Sequence, residues 1–227
     1  MRPPIAPRTV APFFLLVALI NGVAVASRFD LVAKKLPTGA AVAVMIAVFP
    51  LLLLAGYFEG RIDYDETIAS LPLWMKIKSV PVKLAFTFGF MYLTCVALQT
   101  WDVSIGPVNP NPPAQWPAQQ RAMWFGVFTL VMFFPWYLAA TSLLIPVLRL
   151  VTKPLRAMPA LLGALLALLV GAGVGVLVMA AVTSTQLRNF VRGIQAAIQS
   201  DPTIAIPVAL GVTLVPLLLG LILDRDD

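Results

Sequence analysis

The 227-residue chain has no histidine and a single cysteine, and only 11% of its residues carry charge. Without an imidazole there is no His-containing metal site, no haem axial histidine, no Ser-His or Cys-His nucleophile pair and no ordinary proton switch near neutral pH. The lone Cys95 sits in an apolar run, forms no intrachain disulfide and says nothing about redox compartment. Nor does the sequence hold a P-loop, a dinucleotide glycine motif, a nucleophile elbow or zinc-ligand spacing. The "GAGVG" at 171–175 lies in the middle of an apolar run, without the strand-turn-helix context that a phosphate loop requires. The acidic stretch "EGRIDYDE" at 59–66 matches no calcium-loop spacing and is expected to be a solvated turn. No catalytic residue, metal ligand or cofactor is assigned on these grounds.

Basic residues outnumber acidic ones, 16 to 10, for a formal charge of +6. They are scattered between apolar runs instead of forming a stripe or an aromatic-basic module, so nucleic acid is not an expected partner. The excess reads as membrane topology and contact with anionic lipid headgroups.

What the chain has in abundance is apolar sequence: 60% of its residues are hydrophobic and its mean hydropathy is +0.92. A helix needs about 20 mostly apolar residues to cross the ~30 Å hydrocarbon layer. Six uncharged windows meet that length, at about 9–27, 36–58, 84–101, 122–148, 158–183 and 202–223. None alternates with period two, so helices are expected and a barrel is not. The predicted fold is an all-α integral membrane protein, a six-transmembrane-helix bundle forming a single membrane domain over 1–227, with loops at 59–83 and 102–121. Arg2 and Arg8 ahead of the first window, and Ala24-Val25-Ala26 at its end, also fit a signal peptide. The uncharged run is nevertheless long enough to span, and it is read as a span.

With the N-terminus in the cytoplasm, ten of the 16 Lys and Arg residues fall on the cytoplasmic side, which favours both termini inside. The misfits are the interfacial basic residues Arg28, Lys34 and Lys35 in the first loop and Arg188 and Arg192 in the fifth. In "TQLRNFVRGIQAAIQS" the apolar Leu187, Phe190, Val191, Ile194 and Ile198 share one helical face, opposite the two arginines. That segment, and a shorter one near 28–36, are expected to be amphipathic helices lying on the membrane surface. Asp201 and Pro202 then supply a cap and a first-turn proline for the next helix. The loop at 102–121 is too proline-rich for a helix and is flanked by Trp101, Trp116 and Trp124, as in an aromatic belt. Parallels between "PTGAAVAVMIAVFPLLLL" and "PTIAIPVALGVTLVPLLLG" raise a duplicated hairpin as one reading, and chance likeness in a small apolar alphabet as the other.

Within the windows, Gly163, Ala167, Gly171 and Gly175 recur every fourth residue, and Ala18, Gly22 and Ala26 form a lesser ladder. Such ladders admit a close neighbouring helix, from the same chain or another. Asn21 is a possible polar intramembrane site, with packing through its amide as the simpler reading. Pro50, Pro135 and Pro216 are expected helix kinks. No Asp, Glu, Lys or Arg falls inside any window, which argues against carriers coupled through a buried carboxylate. The expected function is a non-catalytic multi-pass subunit or scaffold, packing through its small-residue faces within a homo-oligomer or larger membrane complex. Its expected partners are membrane lipid and other membrane helices. The alternatives are a channel or facilitator for a neutral or lipid-like solute, and a lipid-acting interfacial enzyme using Asp102 or the 59–66 cluster.

Overall fold

The computed structural model describes residues 5, 7–29, 38–62, 80–101 and 115–208, together with 210, 211, 214 and 218. Among the described residues the α-helices are, in order, α1 (Pro7–Arg28), α2 (Thr38–Glu59), α3 (Val80–Trp101), α4 (Ala118–Ala139), α5 (Ile145–Arg156), α6 (Ala160–Thr183) and α7 (Thr185–Ser200). A π-turn, Ala140–Leu144, joins α4 to α5, and a 3₁₀ turn, Pro202–Ile204, follows α7. Among the described residues there is no strand, only one isolated bridge pairing Ile5 with Ile62.

Among the described residues, four helical stretches are long and apolar enough to cross a membrane: Val10–Arg28, Val80–Trp101, Ala118–Arg156 and Ala160–Thr183. Ile46–Glu59 of α2 adds a shorter apolar helix. The architecture is that of a membrane helix bundle. Its backbone polar groups are satisfied within the helices, as a non-aqueous solvent demands.

Direction along the bundle is set by three contacts. The Ile5 N–H donates to the Arg61 carbonyl at 2.9 Å, joining the start of α1 to the end of α2. Gln99 Nε2 donates to the Arg28 carbonyl at 3.1 Å, so α1 and α3 run parallel and finish at the opposite, far end. Trp101 Nε1 donates to the Val182 carbonyl at 2.8 Å, bringing the end of α6 to that same far end. The centre between α1, α2 and α3 is filled by Phe14, Val17, Val48, Leu52, Phe86 and Met91, all buried.

Several expected boundaries move. The 122–148 window lies inside a continuous helical stretch of 39 residues, Ala118–Arg156, about 58 Å at 1.5 Å per residue and so longer than the hydrocarbon layer. The loop predicted over 102–121 therefore ends by Ala118, and the one predicted over 59–83 by Val80. Pro50 and Pro135 each lie inside a helix that continues past them. A further irregularity is the π-turn, where the Ile145 N–H reaches Ala140 O. Pro146, next in sequence, has no N–H and its ring crowds the carbonyl four residues back, a strain that a widened turn relieves. Pro216, Lys34, Lys35 and all but Arg28 and Phe29 of the helix expected near 28–36 lie outside the described residues, as does half of the sixth window.

The chain turns at Ser184, whose Oγ accepts the Leu187 N–H at 3.3 Å and caps α7. Asp201 caps the following turn as its sequence implies: its carboxylate accepts the Thr203 N–H at 3.0 Å and the Thr203 hydroxyl at 2.7 Å.

Candidate functional site

The densest polar arrangement lies at the near end, where α2 finishes, α5 finishes and α6 begins. α2 carries Tyr57 and Glu59 on its last turn, and Glu59 is only 2% exposed. Its carboxylate is met by Arg149 of α5: Nε donates to Oε2 at 2.8 Å and Nη2 to Oε1 at 2.6 Å. This is a two-point fork, the geometry in which a guanidinium matches a carboxylate best. Thr152, fully buried one turn on, donates to the Leu148 carbonyl at 2.7 Å and comes within 3.4 Å of the Gly56 carbonyl. Gly56 makes room for this crossing, because a Cβ there would sit 2.7 Å from Leu148 Cβ.

Arg156 extends the fastening. It donates from Nη1 to the Gly60 carbonyl at 2.8 Å and from Nη2 to the Arg149 carbonyl. Cations at the C-terminus of α2 also meet the negative end of its dipole. Arg61 lies 5.7 Å over the Tyr57 ring and donates to its hydroxyl at 3.2 Å, while that hydroxyl is 3.4 Å from the Ala160 carbonyl at the start of α6. Both oxygens of Glu59 are thus held by a group that does not deprotonate. The arrangement locks three helix ends together.

Sequence reading placed Glu59 at an interface or in a solvated turn, and that expectation is corrected here. The burial arises because α5 continues past the expected end of its window and lays Arg149 over the end of α2. A signal existed: an acid closing one apolar run and an arginine closing another fall on the same side of the membrane when crossings are counted. Asp63, Asp65, Glu66 and Asp102 lie outside the described residues.

The small-residue ladder of α6 faces α2. A Cβ on Gly171 would lie 2.6 Å from Pro50 Cα, one on Gly175 would lie 2.8 Å from Phe49 Cγ, and one on Gly163 would lie 2.6 Å from the Leu155 carbonyl and 2.8 Å from the Tyr57 hydroxyl. Ala167 is fully buried between them. The lesser ladder behaves differently. Ala18 is buried and Ala26 half-buried, but a Cβ on Gly22 would meet nothing within 4 Å, so no close approach requires glycine there. The glycine at the α1, α2 and α3 meeting point is Gly89, where a Cβ would run into Leu52 and come within 3.0 Å of Asn21 Nδ2.

Asn21 is fully buried at that point, and its Nδ2 donates to the Ala85 carbonyl at 2.9 Å. Its Oδ1 has no hydrogen-bond partner among the described residues. The buried hydroxyls nearby are satisfied by their own helices: Ser27 by Val23 O at 2.8 Å and Thr87 by Lys83 O at 2.8 Å.

At the far end Arg28 closes α1, while Arg188 and Arg192 lie exposed on α7. Arg192 Nε donates to the Trp101 carbonyl at 3.0 Å, tying α7 to the end of α3. No residue of α7 is buried, and Phe190 is 65% exposed. Among the described residues, no group of three or more His, Cys, Asp or Glu side chains could hold a metal ion. Compared with protein-family models, curated proteins and solved structures, the chain matches none.

Proposed function

We propose that the protein is a non-catalytic, multi-pass membrane subunit or scaffold, with six crossings and both termini in the cytoplasm, that docks against other membrane helices. The observation that carries this reading is the division of its surface. The small-residue face of α6 is occupied by α2 of the same chain, whereas the outer faces of α4 and α6 are apolar and exposed, with Leu130 81% and Leu161 75% accessible. Docking to a second copy or a larger complex would then run through the Leu, Val and Phe side chains of these outer faces instead of through the glycine ladder. The cations near the ends of α2 and α5 lie on the side that the positive-inside bias assigns to the cytoplasm. α7, with its apolar face unburied and Arg188 and Arg192 beside it, is read as lying on the opposite membrane surface.

Crosslinking in native membranes tests the reading. Leu169→Cys, on the outer face of α6 in a Cys95→Ser background, is expected to crosslink to another copy or a defined partner. Native mass spectrometry in mild detergent should then show the same assembly. A monomer by both measurements would overturn it.

A facilitator for a small neutral solute is the second reading, favoured by the unpaired Oδ1 of Asn21 within the bundle. It requires flux in liposomes containing only this chain, reduced in Asn21→Leu.

A further inference from the structure

At the near end Arg149 meets Glu59, whereas the arginine that closes α1 at the far end pairs with no carboxylate among the described residues. Arg28 is half-buried; its Nε is sealed from solvent without a partner, and no nitrogen of its side chain bonds a described residue. Its carbonyl accepts from Gln99 Nε2 at 3.1 Å, which sets the end of α1 level with the end of α3. Side chains on a helix lean toward its N-terminus, so the guanidinium runs back down the seam between α1 and α3. It arrives at the level of Cys95 and Tyr92, about 6 and 10 Å below Gln99 along α3, and its charge acts on both. Tyr92, Cys95 and Gln99, three and seven residues apart, share this face of α3. Tyr92 is only 4% exposed, yet its hydroxyl bonds no described residue.

A cation serving only the dipole of α1 would donate to the last carbonyls of that helix, and Arg28 donates to none of them. A charge left uncompensated in a low-dielectric seam is costly, so the group that completes this one is an anion. Depth selects its chemistry. Val10–Arg28 is 19 residues long, about 28 Å, which spans the hydrocarbon layer and leaves Arg28 at its edge, where phosphate groups are the resident anions. A guanidinium fork matches phosphate oxygens in geometry as well as in charge. We propose that Arg28 and Tyr92 form a phosphate-binding site at the far end of the α1–α3 seam, the guanidinium and the phenol hydroxyl donating to one phosphate group. A phospholipid headgroup and free inorganic phosphate share that chemistry. The depth argument rests on the membrane reading of the chain.

The test uses the full chain, stripped of lipid in mild detergent and weighed by native mass spectrometry. Phosphatidylglycerol should be retained, and diacylglycerol with the same acyl chains should not. Excess inorganic phosphate separates the sources: displacement of the lipid makes free phosphate a ligand of the same site, and its failure to displace makes the headgroup the ligand. Arg28→Gln should lower retention about tenfold and Tyr92→Phe about threefold, while Arg188→Gln, at the same end but on α7, should leave it unchanged. Arg28→Lys, which keeps the charge and loses the fork, should fall between the wild type and Arg28→Gln. Arg28→Gln should also melt no lower than the wild type, because its guanidinium has no partner in the fold; a clear drop would mean that the charge serves packing and would overturn the proposal. Equal retention of the two lipids, or equal retention by the wild type and Arg28→Gln, would overturn it too. Alkaline extraction of native membranes separates the failures. A chain released to the aqueous phase removes the membrane reading and the lipid source together, whereas an embedded chain that binds neither probe removes this site alone.

Discussion

Glu59 and Arg149 stand ninety positions apart and share two hydrogen bonds, at 2.6 and 2.8 Å, with the carboxylate buried and the guanidinium 28% exposed. A pair of this kind is fragile to single changes. Its charges have left water, and either one alone is left without compensation.

Arg149→Ala should therefore destabilise the bundle by roughly 2–3 kcal/mol, below the ~3–5 kcal/mol of a fully buried pair because the guanidinium keeps some solvent. Glu59→Leu combined with Arg149→Met should recover most of that loss, since two apolar side chains need no partner. Unfolding in detergent reads both variants, and a double variant as weak as the single one would show that the pair is not the source of the effect.

Gly171→Leu should destabilise the isolated chain by about 1–3 kcal/mol or prevent its folding, as overpacking does where backbone cannot retreat. The nearest atom to the added Cβ is Pro50 Cα, which belongs to a helix backbone. Gly173→Leu, whose Cβ meets nothing within 4 Å, should be close to neutral. Thermal melting of the two variants side by side decides it, and equal melting would contradict the α2–α6 contact.

Asn21→Leu gives up one hydrogen bond to Ala85 and removes an unpaired buried oxygen. Interhelical hydrogen bonds in lipid average about 0.6 kcal/mol, so the net change in stability should stay within about 1 kcal/mol. A loss of several kcal/mol would mean that Oδ1 has a partner, such as a bound water, holding the helices together.

Asp201 has its carboxyl pulled below the usual carboxylate range, first by the Thr203 hydroxyl and then by the Thr203 N–H. A lowered native value means that the cap contributes fully above the unfolded carboxylate range and is lost as pH falls through the native value. Protection of the Thr203 amide, its exchange measured against the intrinsic rate at each pH, should fall in acid and be absent at every pH in Asp201→Ala. Protection unchanged with pH in the wild type would rule the cap out.

The helical, membrane-type character of the chain was legible from composition and run length alone, because a chain with so little charge and such long uncharged windows has few alternatives. The amphipathic α7 and its stop at Asp201 were equally readable, since periodicity and capping are local properties. The four-residue ladder from Gly163 to Gly175 announced a close neighbour, but only the packed structure identified that neighbour as α2, by placing Pro50 and Phe49 against it. The same holds for Gly22 and Gly89. Both are glycines in apolar runs, and only the positions of surrounding helices make one indifferent to a Cβ and the other intolerant of it. Glu59 looked like part of a solvated turn, and its burial came from α5 running past its apolar window to cross α2. Sequence by itself determined what each segment is, because solvent and local geometry dictate that. Tertiary structure decided which faces meet, because a helix surface of small or apolar side chains fits many partners and only the packing of the whole bundle selects one.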